Sequence, residues 1–119
     1  MSEDLTVSTP EEYTRLTTRK IAVPSGAVFN IRAMGANAMV YLIGIMPDEG
    51  VEGEKELVKC TASNLDGIET HIVKPCIIAP KVEHLAFTDV VRLLVELMDL
   101  SGFAEKGNPF PDSEDGGGA

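Results

Sequence analysis

A short turn between two strand-like segments, at residues 20–32, is the feature that most constrains the fold. Pro24 presets the backbone angle of the first turn position, and Gly26 tolerates a left-handed conformation. The segment therefore predicts a β-hairpin with a three-residue loop, in which a type I turn is closed by a glycine bulge. Pairing Val23 with Ala27 places four apolar side chains on one face, namely Ile21, Val23, Phe29 and Ile31. The other face carries the side chains of Lys20, Asn30 and Arg32.

The most apolar predicted helix lies near the carboxyl end of the sequence. We expect Thr88 to cap a helix over residues 90–100, which Gly102 ends. Its polar side chains recur every three or four residues and form one narrow stripe of Asp89, Arg92, Glu96 and Asp99. Because every other side chain is aliphatic, the helix either lies at the centre of the core or docks on a partner.

A short helix is predicted before the hairpin. Thr9 can cap it, Pro10 suits the first helical position, and the carboxylate of Glu12 can reach back to the cap. Tyr13 and Leu16 would form its apolar side. A helix of about two turns is marginal in water unless it docks on another element.

Two further helical segments lie between the hairpin and the final helix. Residues 34–46 predict a helix that Pro47 ends, with Ala38, Met39, Leu42 and Met46 on one face. Residues 54–76 have an imperfect helical pattern, which is interrupted by Asn64, Gly67 and Pro75. An acidic connection over 48–56 separates the two segments, and residues 80–82 predict an extended linker.

These elements predict an α+β fold, in which an N-terminal β-hairpin packs with three or four helices. The 119 residues are close to the commonest size of a single domain. We expect a flexible N-terminus over 1–8, a single α+β domain over 9–103 and a disordered acidic tail over 104–119. The tail has too few apolar residues to offset the entropy lost on ordering.

The charge balance excludes several classes of partner. With 10 Lys and Arg against 19 Asp and Glu, the net charge is −9, which disfavours binding to the nucleic-acid backbone. The longest apolar run, residues 38–46, is too short to cross a bilayer, and the N-terminus lacks the basic and apolar parts of a secretory signal. We therefore expect a soluble, cytoplasmic protein with neither a nucleic-acid nor a membrane partner.

No spacing of reactive side chains indicates a catalytic or metal site. The possible zinc ligands are Cys60, His71, Cys76 and His84, without a paired short spacing such as C-x2-C. The acidic segment from Asp48 has Gly50 where an EF-hand loop needs an oxygen ligand. Ser25 lies in the turn and has no nucleophile motif around it. We expect no cofactor and no enzymatic activity.

Three stretches occur in an order typical of a known family. They are TPEEY at 9–13, KIAVPSGAVFNIR at 20–32, and CIIAPKV at 76–82, which leads to Asp89 and a helix ending in Leu100-Ser-Gly102. This arrangement resembles the small tail assembly chaperones of long-tailed bacteriophages. The resemblance covers residues 9–103 and has no catalytic motif.

The resemblance implies a non-enzymatic protein that binds the tape-measure protein, or another phage tail protein, during tail assembly in the host cytoplasm. Such a role needs exposed apolar surface and enough charge to stay in solution, and a homo-oligomer is compatible with it. The predicted contact residues are Met39, Met46, Leu93, Leu97, Met98 and Leu100, each of which is alternatively a core residue. One alternative is a structural component of the virion, such as a head–tail connector or minor tail protein. The other, less favoured, is a metal-dependent or thiol enzyme.

Overall fold

The structure, a computed structural model, describes residues 5–47 and 53–102. Its α-helices are α1 Pro10–Leu16, α2 Ala36–Ile45, α3 Gly53–Ser63, α4 Leu65–Gly67, α5 Lys74–Cys76 and α6 Phe87–Leu100. A π-helix, Ile68–Val73, connects α4 to α5, and the strands are β1 Thr18–Ala22, β2 Val28–Arg32 and β3 Ile77–Ala79. The α+β class predicted from the sequence is confirmed, whereas the predicted tail over 104–119 lies outside the described residues.

The hairpin forms in the predicted register. Ile21 lies opposite Phe29, and the Val23 N–H donates to the Ala27 carbonyl oxygen at 2.9 Å. Gly26 has a φ of 99° and its N–H donates to the Val23 carbonyl oxygen at 2.8 Å, which closes the three-residue loop. All four side chains predicted to face inward are buried.

A third strand, which the sequence pattern did not predict, extends the hairpin into a sheet. β3 pairs antiparallel with β2, with Ile77 opposite Ile31 and a register shift towards Asn30 and Ala79. The strand order is β1-β2-β3, so that β2 is the central strand.

Two of the three predicted helix interruptions act as expected. Asn64 ends α3, and its Nδ2 donates to the Cys60 carbonyl oxygen at 3.0 Å. α5 ends at Cys76, directly after Pro75. The predicted break at Gly67 is wrong, because Gly67 keeps a right-handed helical backbone (φ −67°) and the chain continues into the π-helix.

Helix α6 lies at the centre of the core, against the sheet and the π-helix. Its buried residues are Asp89, Val90, Val91, Leu93, Leu94, Leu97 and Met98. The prediction that Thr88 caps this helix is wrong, since the N-cap is Ala86 and Thr88 is exposed. The buried Asp89 instead accepts a hydrogen bond at Oδ1 from the Ser25 N–H, at 3.0 Å, and so connects the start of α6 to the hairpin turn.

Polar contacts also fix the carboxyl-terminal half of α6. Arg19 of β1 donates to Oε1 of Glu96 at 3.0 Å and to Oδ2 of Asp99 at 2.9 Å. Hydrogen bonding to Asp99 and then to Glu96 raises the pKa of Arg19 above its ordinary value. The Met34 N–H donates to the Ser101 hydroxyl at 2.8 Å, directly after α6 ends. Much of the predicted polar stripe therefore contacts the hairpin.

Candidate protein-binding surface

Helix α2 belongs to the longest uncharged part of the chain. Residues 33–47 contain no charged side chain, although 24% of all residues are charged. Ala38 and Leu42, four residues apart, face the core and are buried. An amphipathic surface helix would carry polar or charged residues on the opposite side, so the outer side of α2 is unusual.

That outer side is uncharged, mostly apolar and exposed. Val40 is 68% exposed and Ile43 is 49% exposed, which is high for β-branched aliphatic side chains. Three smaller exposed residues surround them, and the five together are named the α2 outer face: Ala36, Asn37, Val40, Ile43 and Gly44. The α2 outer face thus offers aliphatic surface without any charge.

Tyr41 attaches α2 to the rest of the fold. Its ring lies 4.8 Å from the His71 ring, centroid to centroid, with the two planes tilted by 39°. The tyrosine hydroxyl group also lies where a side chain at Gly67 would begin. Gly67 is therefore the position at which α4 leaves room for the Tyr41 side chain of α2.

Replacing Gly67 by alanine is expected to lower the free energy of unfolding by about 1–2 kcal/mol, because the added methyl group overlaps Tyr41. In a Tyr41→Ala background the same substitution should be neutral or stabilising by up to about 1 kcal/mol, since alanine is the better helix former. Urea denaturation of the four chains measures this coupling. Gly44→Ala is the matched control, because nothing lies within 4 Å of the added methyl group; equal effects at Gly44 and Gly67 would contradict the Tyr41 contact.

The structure corrects the accessibility expected for three predicted contact residues. Leu93 and Leu97 have no exposed surface, and Met98 is 8% exposed. Their side chains belong to the core cluster beneath the sheet and the π-helix. The expectation that these three side chains are exposed for a partner is therefore wrong in this fold.

The other three predicted contact residues are only half-buried. Met39, Met46 and Leu100 pack against the core while keeping part of their surface exposed. Met39 lies one helical turn before Ile43 and so borders the α2 outer face. Reasoning from the sequence missed Val40 and Ile43, and the signal that could have found them is the absence of charge over residues 33–47.

Helix α1 presents a second exposed apolar pair. Its capping box forms as predicted, with the Glu12 N–H donating to Oγ1 of Thr9 at 3.1 Å and the Thr9 N–H donating to Oε1 of Glu12 at 3.0 Å. None of its residues is buried, and Tyr13 and Leu16 are 66% and 64% exposed. Its apolar side thus stays accessible in the described structure.

Neither cysteine has the environment of a reactive thiol. Cys60 is half-buried and Cys76 is buried, and burial raises the pKa of both thiols. The thiolate is the nucleophilic form, so a raised pKa opposes reactivity near neutral pH.

Within residues 5–47 and 53–102, no group of three or more His, Cys, Asp or Glu residues could hold a metal ion. The acidic segment from Asp48 to Gly50 lies outside these ranges.

Comparisons of the chain with protein-family models, with curated proteins and with solved structures returned no match. None of the described helices is long and apolar enough to span a membrane.

Proposed function

We propose that this protein is a non-enzymatic binding protein that covers an apolar helix of another polypeptide with the α2 outer face. The observation that carries the proposal is the exposure of Val40 and Ile43 on a helix that has no charged side chain. As the resemblance to tail assembly chaperones implies, the partner is a phage tape-measure protein, bound in the host cytoplasm before the tail is complete.

The chemistry of the α2 outer face favours an apolar helix over a charged segment. A charged partner side chain would lose hydration there without gaining an opposite charge. An apolar stripe repeating every three or four residues could instead pack along α2, in the way that amphipathic helices bind hydrophobic surfaces. Met39, at the border of this face, can adjust its flexible side chain to different partner sequences.

The distribution of charge supports the same role. The described residues contain ten acidic and nine basic side chains, whereas the rest of the chain contains nine acidic and one basic. The net negative charge thus belongs mainly to segments outside the described residues, and none of it lies on α2 itself. Such charge keeps a protein with exposed aliphatic surface in solution and leaves the binding face uncharged.

Co-expression with the tape-measure protein of the same phage tests this proposal. The wild-type chain should keep the tape-measure protein in the soluble fraction, and Val40→Asp combined with Ile43→Asp should reduce that fraction at least tenfold. Val28→Asp is the matched control, because Val28 is 60% exposed but lies on β2, and it should behave as wild type.

Two outcomes would contradict the proposal. One is full solubilisation of the tape-measure protein by the double variant, which would show that the α2 outer face does not take part in the interaction. The other is the presence of this protein at integer stoichiometry in purified particles by mass spectrometry, which would indicate the structural virion component. Circular dichroism of each variant separates loss of binding from loss of folding.

A further inference from the structure

Strand β1 lies at one side of the sheet and has a backbone edge without a neighbour. The Val23 N–H donates to the Ala27 carbonyl oxygen, and hydrogen-bonded pairs recur at every second residue of an antiparallel ladder. The backbone N–H and C=O groups of Lys20 and Ala22 therefore point away from β2, and are named the β1 edge. No residue in the described part of the chain hydrogen-bonds to these groups.

The β1 edge is open to solvent. Lys20 and Ala22 are exposed, whereas Ile21 between them is buried and holds the strand against the core. Five residues of β-strand are about 17 Å long, which matches an extended segment of similar length. Unpaired N–H and C=O groups on an edge strand are a template on which another strand can add.

The outer face of the sheet is basic beside this edge. Thr18 lies opposite Arg32 in the hairpin, so Lys20, two residues further along β1, is a diagonal neighbour of Arg32 on the same face. Both basic residues are exposed, and no carboxylate of the described residues pairs with either of them. Arg19, on the opposite face, is by contrast paired with two carboxylates of α6.

We propose that the β1 edge binds an extended acidic segment of another polypeptide, which adds to the sheet as a further strand. The backbone groups of Lys20 and Ala22 hydrogen-bond to the added strand. Alternate side chains of that strand lie on the outer face, where carboxylates beside Lys20 gain an opposite charge. The β1 edge is a different surface from the α2 outer face, and this inference does not depend on the proposed function.

Charge favours an acidic segment over a second copy of β1. Antiparallel self-pairing that uses both Lys20 and Ala22 places the lysines of the two copies opposite or diagonal to each other. Like charges in such positions oppose pairing. An acidic strand replaces this repulsion by attraction, to which the positive charge of Arg32 on the neighbouring strand adds.

Amide hydrogen exchange of the full-length protein, followed by NMR, tests the inference residue by residue. The probe is a synthetic peptide in which glutamate alternates with valine. In the free protein the Lys20 and Ala22 amides should exchange fast, whereas those of Arg19 and Ile21, which face β2, should exchange slowly. Saturating peptide should slow the Lys20 and Ala22 amides at least tenfold, because they become hydrogen-bonded.

Substitutions separate the contribution of charge from that of the backbone. Lys20→Glu should weaken peptide binding about tenfold, because an attractive pair becomes repulsive. Lys59→Glu makes the same charge change on α3 and should bind the peptide as wild type does. Ala22→Pro removes one N–H of the β1 edge without removing a hydrogen bond to β2, and should weaken binding by a similar factor. Circular dichroism checks that each variant is folded.

Four results would overturn the proposal. Slow exchange of the Lys20 and Ala22 amides in the free protein would show that a second copy, if dilution restores fast exchange, or another part of the chain already covers the β1 edge. Absence of peptide binding would contradict the site, and binding without slower exchange would indicate attraction to the basic face alone. Equal binding of a peptide with lysine in place of glutamate would exclude selection by charge. The variant with Val40→Asp and Ile43→Asp should still bind the peptide, so failure here is separable from failure of the proposed function.

Discussion

Replacing Leu97 by alanine is expected to lower the free energy of unfolding by about 3 kcal/mol. The Leu97 side chain is fully buried within the core cluster. Truncating such a leucine loses its transfer free energy and leaves a cavity, which together cost about 2–5 kcal/mol. Urea denaturation followed by circular dichroism measures the change, and the slope of the transition should stay that of wild type.

Two controls separate a core role for Leu97 from a role in binding. Leu100→Ala changes a half-buried side chain of the same type and should cost about 1 kcal/mol. Ile43→Ala changes an exposed side chain and should alter stability by less than about 0.5 kcal/mol. If Leu97→Ala left stability unchanged but abolished binding of the proposed tape-measure partner, α6 would be the binding surface and its placement in the core would be contradicted.

The hairpin could be predicted from the sequence because the interactions that define it are local. Pro24 and Gly26 restrict the turn, and the alternation of apolar residues on both sides selects one register. The capping box at Thr9 and Glu12 was predictable for the same reason, since its two hydrogen bonds join residues three apart. In each case the decisive contacts lie within a few residues of each other.

The burial of α6 and the exposure of α2 could not be predicted in this way. α2 carries no charged side chain, so hydrophobic periodicity does not show which of its sides faces the core. α6 is aliphatic outside one narrow polar stripe, and this pattern fits both a central place in the core and a partner-binding helix. The buried sides of both helices pack against the π-helix Ile68–Val73, and α6 also packs against β1 and β2. The third strand, β3, pairs with β2 across more than forty residues of chain. A three-residue strand such as Ile77–Ala79 is too short to give an alternating pattern. The wrong assignment of the exposed side chains follows from these distant contacts.

Asp89 gives the second large expected effect on stability. The residue is 4% exposed, its carboxylate accepts the Ser25 N–H at 3.0 Å, and it lies in the first turn of α6, where negative charge is favourable. A buried hydrogen bond to a charged group contributes about 1.5–3 kcal/mol. We therefore expect Asp89→Ala to lower the free energy of unfolding by about 2 kcal/mol and to loosen the hairpin turn, which hydrogen exchange at the Ser25 amide reports.

The neighbouring Thr88 provides a matched control, because a sequence-based interpretation assigns the cap to this residue. Thr88 is exposed, and α6 begins without a side-chain cap, so Thr88→Ala should change stability by less than about 0.5 kcal/mol. Asp89→Asn keeps an acceptor oxygen but loses the charge, and should lie about midway between wild type and Asp89→Ala. A larger loss for Thr88→Ala than for Asp89→Ala would show that a local cap stabilises α6. We expect the larger loss of stability for Asp89→Ala, because the start of α6 depends on the hydrogen bond from the Ser25 N–H to Asp89, 64 residues apart in the chain.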